Sequence, residues 1–255
     1  MAARALFFPS SPRFDHKRSS PEEQSQALAR KAVPCSTLFK NAPAAAITQI
    51  GDRAKTLSVR RGERVFTAGE RCAGVYIVVS GRLMLSVGTT PAAMKVIELV
   101  SSGGHCGLAA TLLDSPHHMC AEALCDSVVL LVPRAALIEA AAAHPACGLQ
   151  LAVSLSRGIA SLTDDIHAYS LHSGRQRVAN YLMHVAASNV TRGRPFPLPA
   201  KKSIIASRLG LTPEYFSRML HELIVARAIA VEGRQITILD PDALRAAGEA
   251  TAAAA

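Results

Sequence analysis

Glu214, Ser217 and Arg218 stand three and four residues apart in "LTPEYFSRMLHEL", residues 211–223, and with His221 they share one side of any helix formed there. Phe216, Met219, Leu220 and Leu223 take the other side and supply an inward apolar face. Each polar type has a counterpart on a base-pair edge. Arginine can donate two bonds to guanine O6 and N7, glutamate can accept from cytosine N4, and serine can meet a base edge or a methyl group. A surface ion pair between Glu214 and Arg218, four residues apart and worth about 0.2–0.5 kcal/mol, is the plainer alternative. The elements around them decide between the two.

Thr212 is expected as N-cap, Pro213 as the first helical residue and Glu214 in the first turn. Upstream, "KKSIIASRLG" predicts a short helix whose Gly210 suits a left-handed turn residue. Downstream, "IAVEGRQITIL" pairs two β-rich runs around Glu232-Gly233, a tight-hairpin signal. "GRQRVANYLMHVAASN" reads as a further helix and "VTRGRPFPLP" as a Pro-rich connection. Two short helices, a glycine turn and a hairpin describe a winged helix-turn-helix, in which the start of the second helix enters the major groove. Glu214, Ser217 and Arg218 then read bases, while Lys201, Lys202, Thr212, His221 and Arg234 are expected at the DNA backbone.

Charge follows the same division. The 255 residues carry a formal charge of +9. Residues 1–33 hold six Lys and Arg against three Asp and Glu, residues 34–171 eleven against ten, and residues 172–255 eleven against six. The last third is therefore the candidate polyanion-binding part.

Between residues 57 and 133 short apolar runs are broken at Gly62, Gly69, Gly74, Gly81 and Gly88, which predicts a compact antiparallel barrel or sandwich. After Pro133 the period becomes helical: Leu155, Ile159, Leu162, Ile166 and Tyr169 recur at alternating steps of three and four, a heptad stripe that calls for a partner helix. A second copy of the chain is the expected partner. Residues 1–33 lack sustained periodicity and read as a mobile arm. The six cysteines form no CxxC pair, so neither a disulfide framework nor a zinc knuckle is suggested. No apolar run approaches the roughly 18–20 residues that cross a bilayer, and a cytoplasmic protein without a membrane partner is expected. No nucleophile, paired carboxylates or phosphate loop stands in a catalytic context, so no enzyme activity is assigned.

"RRGERVFTAGERCAGVYIVVSGRLML", "GRQRVANYLM" and "IIASRLGLTPEYFSRMLHEL" followed by "IAVEGRQITIL" together resemble the superfamily of the cyclic-AMP receptor protein and the fumarate and nitrate reduction regulator, over residues 38–245. The resemblance implies an α+β chain: a mobile arm at 1–33, a cyclic-nucleotide-binding-like antiparallel β-barrel of jelly-roll type at 34–147, a dimerisation helix at 148–172, a winged helix-turn-helix at 173–245 and an Ala-rich tail at 246–255. It also implies a homodimeric transcription regulator that binds double-stranded DNA and meets RNA polymerase. The E-x-x-S-R spacing of Glu214, Ser217 and Arg218 is similar to the fumarate and nitrate branch, which implies TTGAT-type half-sites.

The departures are chemical. Cyclic-nucleotide-binding relatives place a glutamate after the barrel glycine and an arginine further on. Here Leu108 follows Gly107, and no arginine occurs between Arg82 and Arg134, so cyclic AMP is disfavoured. A four-cysteine iron-sulfur cluster is disfavoured too, since Cys35 is the only cysteine near the N-terminus and Leu130 occupies the motif position in "DSVVLLVP". His105, Cys106, His117, His118, Met119 and Cys120 crowd one segment. Haem ligation, a Cys106–Cys120 thiol switch and a plain loop with histidines beside a strand all stand as readings of it.

Overall fold

The computed structural model describes residues 21–88, 94–188 and 194–249. The helix α1 (Pro21–Ala32), a 3-10 turn (Val33–Cys35) and α2 (Ala44–Arg53) lead into the strands β1 (Lys55–Val59), β2 (Arg64–Phe66), β3 (Gly74–Ser80), β4 (Arg82–Val87), β5 (Lys95–Ser101) and β6 (His105–Cys106). Then come α3 (Leu108–Leu113), β7 (Cys120–Ala123), β8 (Ser127–Pro133), α4 (Arg134–Ala143) and α5 (Pro145–Leu171). The remainder is α6 (Gly174–Ser188), β9 (Phe196–Pro197), α7 (Lys202–Arg208), α8 (Pro213–Val225), β10 (Ile229–Glu232), β11 (Gln235–Ile238) and α9 (Pro241–Gly248). Backbone contacts divide the chain into two units, Pro21–Leu171 with Pro199–Pro213, and His172–Leu198 with the residues from Glu214 onward.

In the first unit two four-stranded antiparallel sheets, ordered β1-β8-β3-β6 and β2-β7-β4-β5, form a jelly-roll-like sandwich rather than a closed barrel. The side-chain period of two sorts β3 between two cores. Tyr76 and Val78 pack between the sheets with Phe66, Leu83, Leu85 and Val129, whereas Val75 and Ile77 join Phe39, Ile50, Leu130 and Leu137 beneath the helices. Gly81 makes the β3–β4 reversal possible. Its φ is 92°, and a Cβ there would fall 2.1 Å from Ser127 Oγ, so no other residue fits.

Two sequence expectations need correction here. The expected mobile arm ends in ordered structure, because Pro21–Ala32 is helix and Ala29, Ala32 and Val33 lie in the core; residues 1–20 lie outside the described residues. Alanines bury little area each, so the packed face of α1 leaves no strong hydrophobic period to read. Likewise, residues 246–248 of the expected tail close α9, where the Asn180 side chain donates to the Gly248 carbonyl at 3.2 Å. Residues 250–255 lie outside the described residues.

The second unit holds α6, α8, α9 and the three-stranded sheet β10-β11-β9. Strands β10 and β11 pair from Ile229↔Ile238 to Glu232↔Gln235, leaving a two-residue turn at Gly233-Arg234.

Candidate nucleic-acid interface

In α8 the apolar face is closed: Phe216, Met219, Leu220 and Leu223 are all buried. Trimming a residue such as Phe216 to alanine in a packed site costs about 3–5 kcal/mol, so this face fixes the roll of the helix. That roll leaves Glu214, Ser217, Arg218 and His221 exposed together along the other side. Among the described residues no ion pair joins Glu214 to Arg218. The Arg218 guanidinium instead lies 4.6 Å from the centroid of the Tyr215 ring. The surface-pair reading therefore loses its geometry, and Arg218 keeps its donor edges for an acceptor. On the hairpin, Arg234 is exposed and donates to the Leu198 carbonyl at 2.9 Å, which ties the turn to the end of β9.

The other expected backbone contacts belong to the first unit. Lys201 is exposed as the N-cap of α7, Lys202 is half-buried as its first residue, and Thr212 is exposed after Gly210, whose φ of 67° matches the left-handed turn expected of it.

The heptad stripe is narrower in three dimensions than in sequence. Helix α5 runs for 27 residues, about 40 Å at 1.5 Å per residue. Leu155 packs against the core of its own unit. Ile159, Leu162 and Ile166 are 66%, 53% and 66% exposed, far more than large apolar side chains ordinarily are. Tyr169, expected in the same seam, is instead turned inward: its hydroxyl donates to the Arg208 carbonyl at 2.5 Å, and Lys95 Nζ stands 4.5 Å over its ring. Arg208 in turn pairs with Asp165 at 2.8 Å, with both side chains largely buried. Burial alone would lower the Arg208 pKa, but the hydrogen bond and charge of Asp165 raise it.

The crowded segment from His105 to Cys120 spreads its side chains over separate surroundings. His105 and Cys106 are neighbours on a strand and so point to opposite faces. The His105 ring lies 3.3 Å from Thr37 Oγ1 and 2.9 Å from Ser154 Oγ, and burial lowers its pKa. Cys106 is buried in the inter-sheet core, and that burial pushes its thiol far up, away from the reactive thiolate. His117 is buried and stacked on Phe66 with centroids 3.7 Å apart, its Nε2 meeting no partner among the described residues; desolvation lowers its pKa. His118 is exposed, and Cys120 accepts from the Ala68 amide at 3.4 Å. Among the described residues no three His, Cys, Asp or Glu gather as metal ligands, and the six cysteines are free.

Comparison with known proteins meets this geometry in both units. Residues 176–247 match the Crp-like helix-turn-helix domain, and residues 56–144 match the cyclic nucleotide-binding domain. The chain belongs to the CRP/FNR superfamily of DNA-binding transcription regulators. The fumarate and nitrate reduction regulatory protein of Salmonella typhi is 28% identical over 192 residues, 74% of this chain and 76% of that protein. Its namesake in Escherichia coli K12 is 28% identical over 190 residues, 73% and 75% of the two chains. Among solved structures, FixK2 from Bradyrhizobium japonicum superposes with a TM-score of 0.69 at 26% identity, covering 78% of this chain and 99% of that one. CooA from Carboxydothermus hydrogenoformans, at 16% identity, shares the fold with a TM-score of 0.70 over 87% and 99%.

This CRP/FNR chain departs from a cyclic-nucleotide site in its donors. Leu108, which follows the barrel glycine, is 5% exposed and packed in the core, and the segment supplies no arginine to meet a phosphate. The segment thus lacks the glutamate and the arginine that the family resemblance implies for a cyclic nucleotide, and the cations beside it are Arg134, which donates to the Thr111 carbonyl at 3.0 Å, and Arg71, which is bridged to Pro116. Nor do the thiols fit a four-cysteine cluster: Cys35 points its Sγ at the Lys31 carbonyl, and Leu130 is fully buried. Among the described residues no single helix is long and apolar enough to cross a membrane.

Proposed function

We propose that this CRP/FNR regulator acts as a homodimer on palindromes of TTGAT-type half-sites, with Arg218 donating to guanine, Glu214 accepting from cytosine and Ser217 touching a neighbouring base edge. The observation that supports this reading is the exposed face of Glu214, Ser217 and Arg218 at the start of α8, set by the buried Phe216, Met219, Leu220 and Leu223 behind it. Lys201, Lys202, Thr212, His221 and Arg234 serve phosphates in this reading and carry no sequence information. A second copy of the chain covers Ile159, Leu162 and Ile166, so that two-fold symmetry of the protein meets two-fold symmetry of the site, with half-sites about one DNA turn apart. RNA polymerase is the further partner that the family resemblance implies. The sensing unit works here without a cyclic nucleotide.

Mobility shift on a TTGAT-N4-ATCAA duplex beside a scrambled duplex of equal length tests the reading. Retardation of the first at concentrations that leave the second free is expected. Equal retardation of both would remove the half-site assignment.

A further inference from the structure

Tyr215 has no part in the readings above, yet it is the residue that Arg218 touches. It lies three residues before Arg218 on α8, which puts both side chains on one helical face, and the guanidinium carbon lies over its ring, 4.6 Å from the centroid. Stacking against an aromatic face leaves the in-plane N–H donors of a guanidinium unspent, because the ring meets the cation's flat side. The ring itself has little freedom. Gly174, the buried first residue of α6, lies so close that a Cβ added there would fall 2.2 Å from Tyr215 Cε1. Thus a glycine on one helix leaves room for an aromatic ring on another, and that ring lies against the guanidinium of Arg218.

We infer that Tyr215 is a positioning residue for sequence recognition: braced by Gly174, its ring holds the Arg218 guanidinium in the orientation that meets guanine O6 and N7. The inference rests on the proposed role of Arg218. A long arginine free in solution loses rotamer entropy when it docks on a base, and one already held by a ring loses less. The inference assigns this effect to the ring.

The test measures affinity of the full chain for the TTGAT-N4-ATCAA duplex, for a scrambled duplex and for one in which the half-site guanines are 7-deazaguanine, which lacks the N7 acceptor. Tyr215→Ala is expected to weaken binding to the intact palindrome about five- to thirty-fold over two half-sites, while scrambled DNA is bound as before. It should also lose most of the further weakening that 7-deazaguanine causes in the unaltered chain. Tyr215→Phe should behave as the unaltered chain. Gly174→Ala moves the ring without removing it and should reproduce part of the alanine effect, which provides a second variant if Tyr215→Ala does not fold. Tyr215→Phe as weak as Tyr215→Ala would overturn the inference in favour of a hydroxyl contact, and Tyr215→Ala binding as tightly as the unaltered chain, or tighter, would overturn it outright. Arg218→Ala, run in parallel, separates the two levels. If it keeps full discrimination, the reading of α8 falls and the inference with it; if it loses discrimination while Tyr215→Ala does not, the inference alone falls.

Discussion

Arg218 and Lys202 are both cations near a helix start, and they are expected to fail differently when removed. Arg218→Ala should cost about 1–3 kcal/mol per half-site on the palindrome and little on scrambled DNA, because the lost bonds are to a base. Lys202→Ala should weaken both duplexes alike and flatten the salt dependence, since a phosphate contact acts through counterion release. Fluorescence anisotropy titrations at several salt concentrations read both quantities at once, and interchangeable effects would contradict the assignment. The types of these residues were legible because helical spacing alone separates them from Phe216 and Leu223. Tyr215 was not, since an aromatic beside Phe216 in sequence reads as one more core residue until the guanidinium is seen over its ring. His105 carries a pH expectation at the same scale. Burial holds its pKa below the ordinary histidine value, so the unfolded chain binds more protons between the two pKa values and stability rises with pH there. The contribution is fully present above about pH 6.5, is lost as pH falls toward the folded pKa, and stays lost below it. Melting temperatures from pH 7.5 down to pH 5 should therefore fall less steeply in His105→Gln than in the unaltered chain.

At the scale of elements, the strands and the two helices around Gly210 could be read because glycine, alternation and capping act locally. The helices α1, α2, α3 and α9 were missed, and most of them present alanine-rich or short faces whose burial depends on a sheet far away in sequence. The stripe on α5 shows the same limit from the other side. A heptad pattern in sequence put Leu155 and Tyr169 into one seam with Ile159, Leu162 and Ile166, but contacts with distant Arg208, Lys95 and the core claim the two ends. Substitutions along the helix should divide accordingly. Leu162→Glu places a charge in the proposed seam, and sedimentation should show a monomer with DNA affinity collapsed although Arg218 is intact. Tyr169→Ala should leave the dimer in place, because its side chain is engaged within its own chain. A dimer that survives Leu162→Glu would move the interface elsewhere.

At the scale of the whole molecule, family membership and chemistry pull apart in the first unit, where a fold that matches the cyclic nucleotide-binding domain carries Leu108 after Gly107 and no arginine between Arg82 and Arg134. A fold supplies a cavity and a connection to the DNA-binding half, but the ligand is chosen by donors at particular positions. With Leu108 in the core where a ribose would need a carboxylate, and no arginine between Arg82 and Arg134 for the phosphate, cyclic AMP is expected not to bind. Mass action makes this measurable. A ligand present at a hundred times its Kd raises folding stability by about 2.7 kcal/mol, and for a chain of this size each kcal/mol moves the melting temperature by about 2–4 °C. Cyclic AMP at millimolar concentration is therefore expected to leave both the melting temperature and the affinity for the palindrome where they were, while a bound nucleotide would shift the first by about 5–10 °C. Leu108→Glu alone should not create binding, because it adds a buried carboxylate without the cation that a phosphate requires; a rise in melting temperature with cyclic AMP in either chain would show that the sensing unit meets the phosphate through groups other than those the family uses.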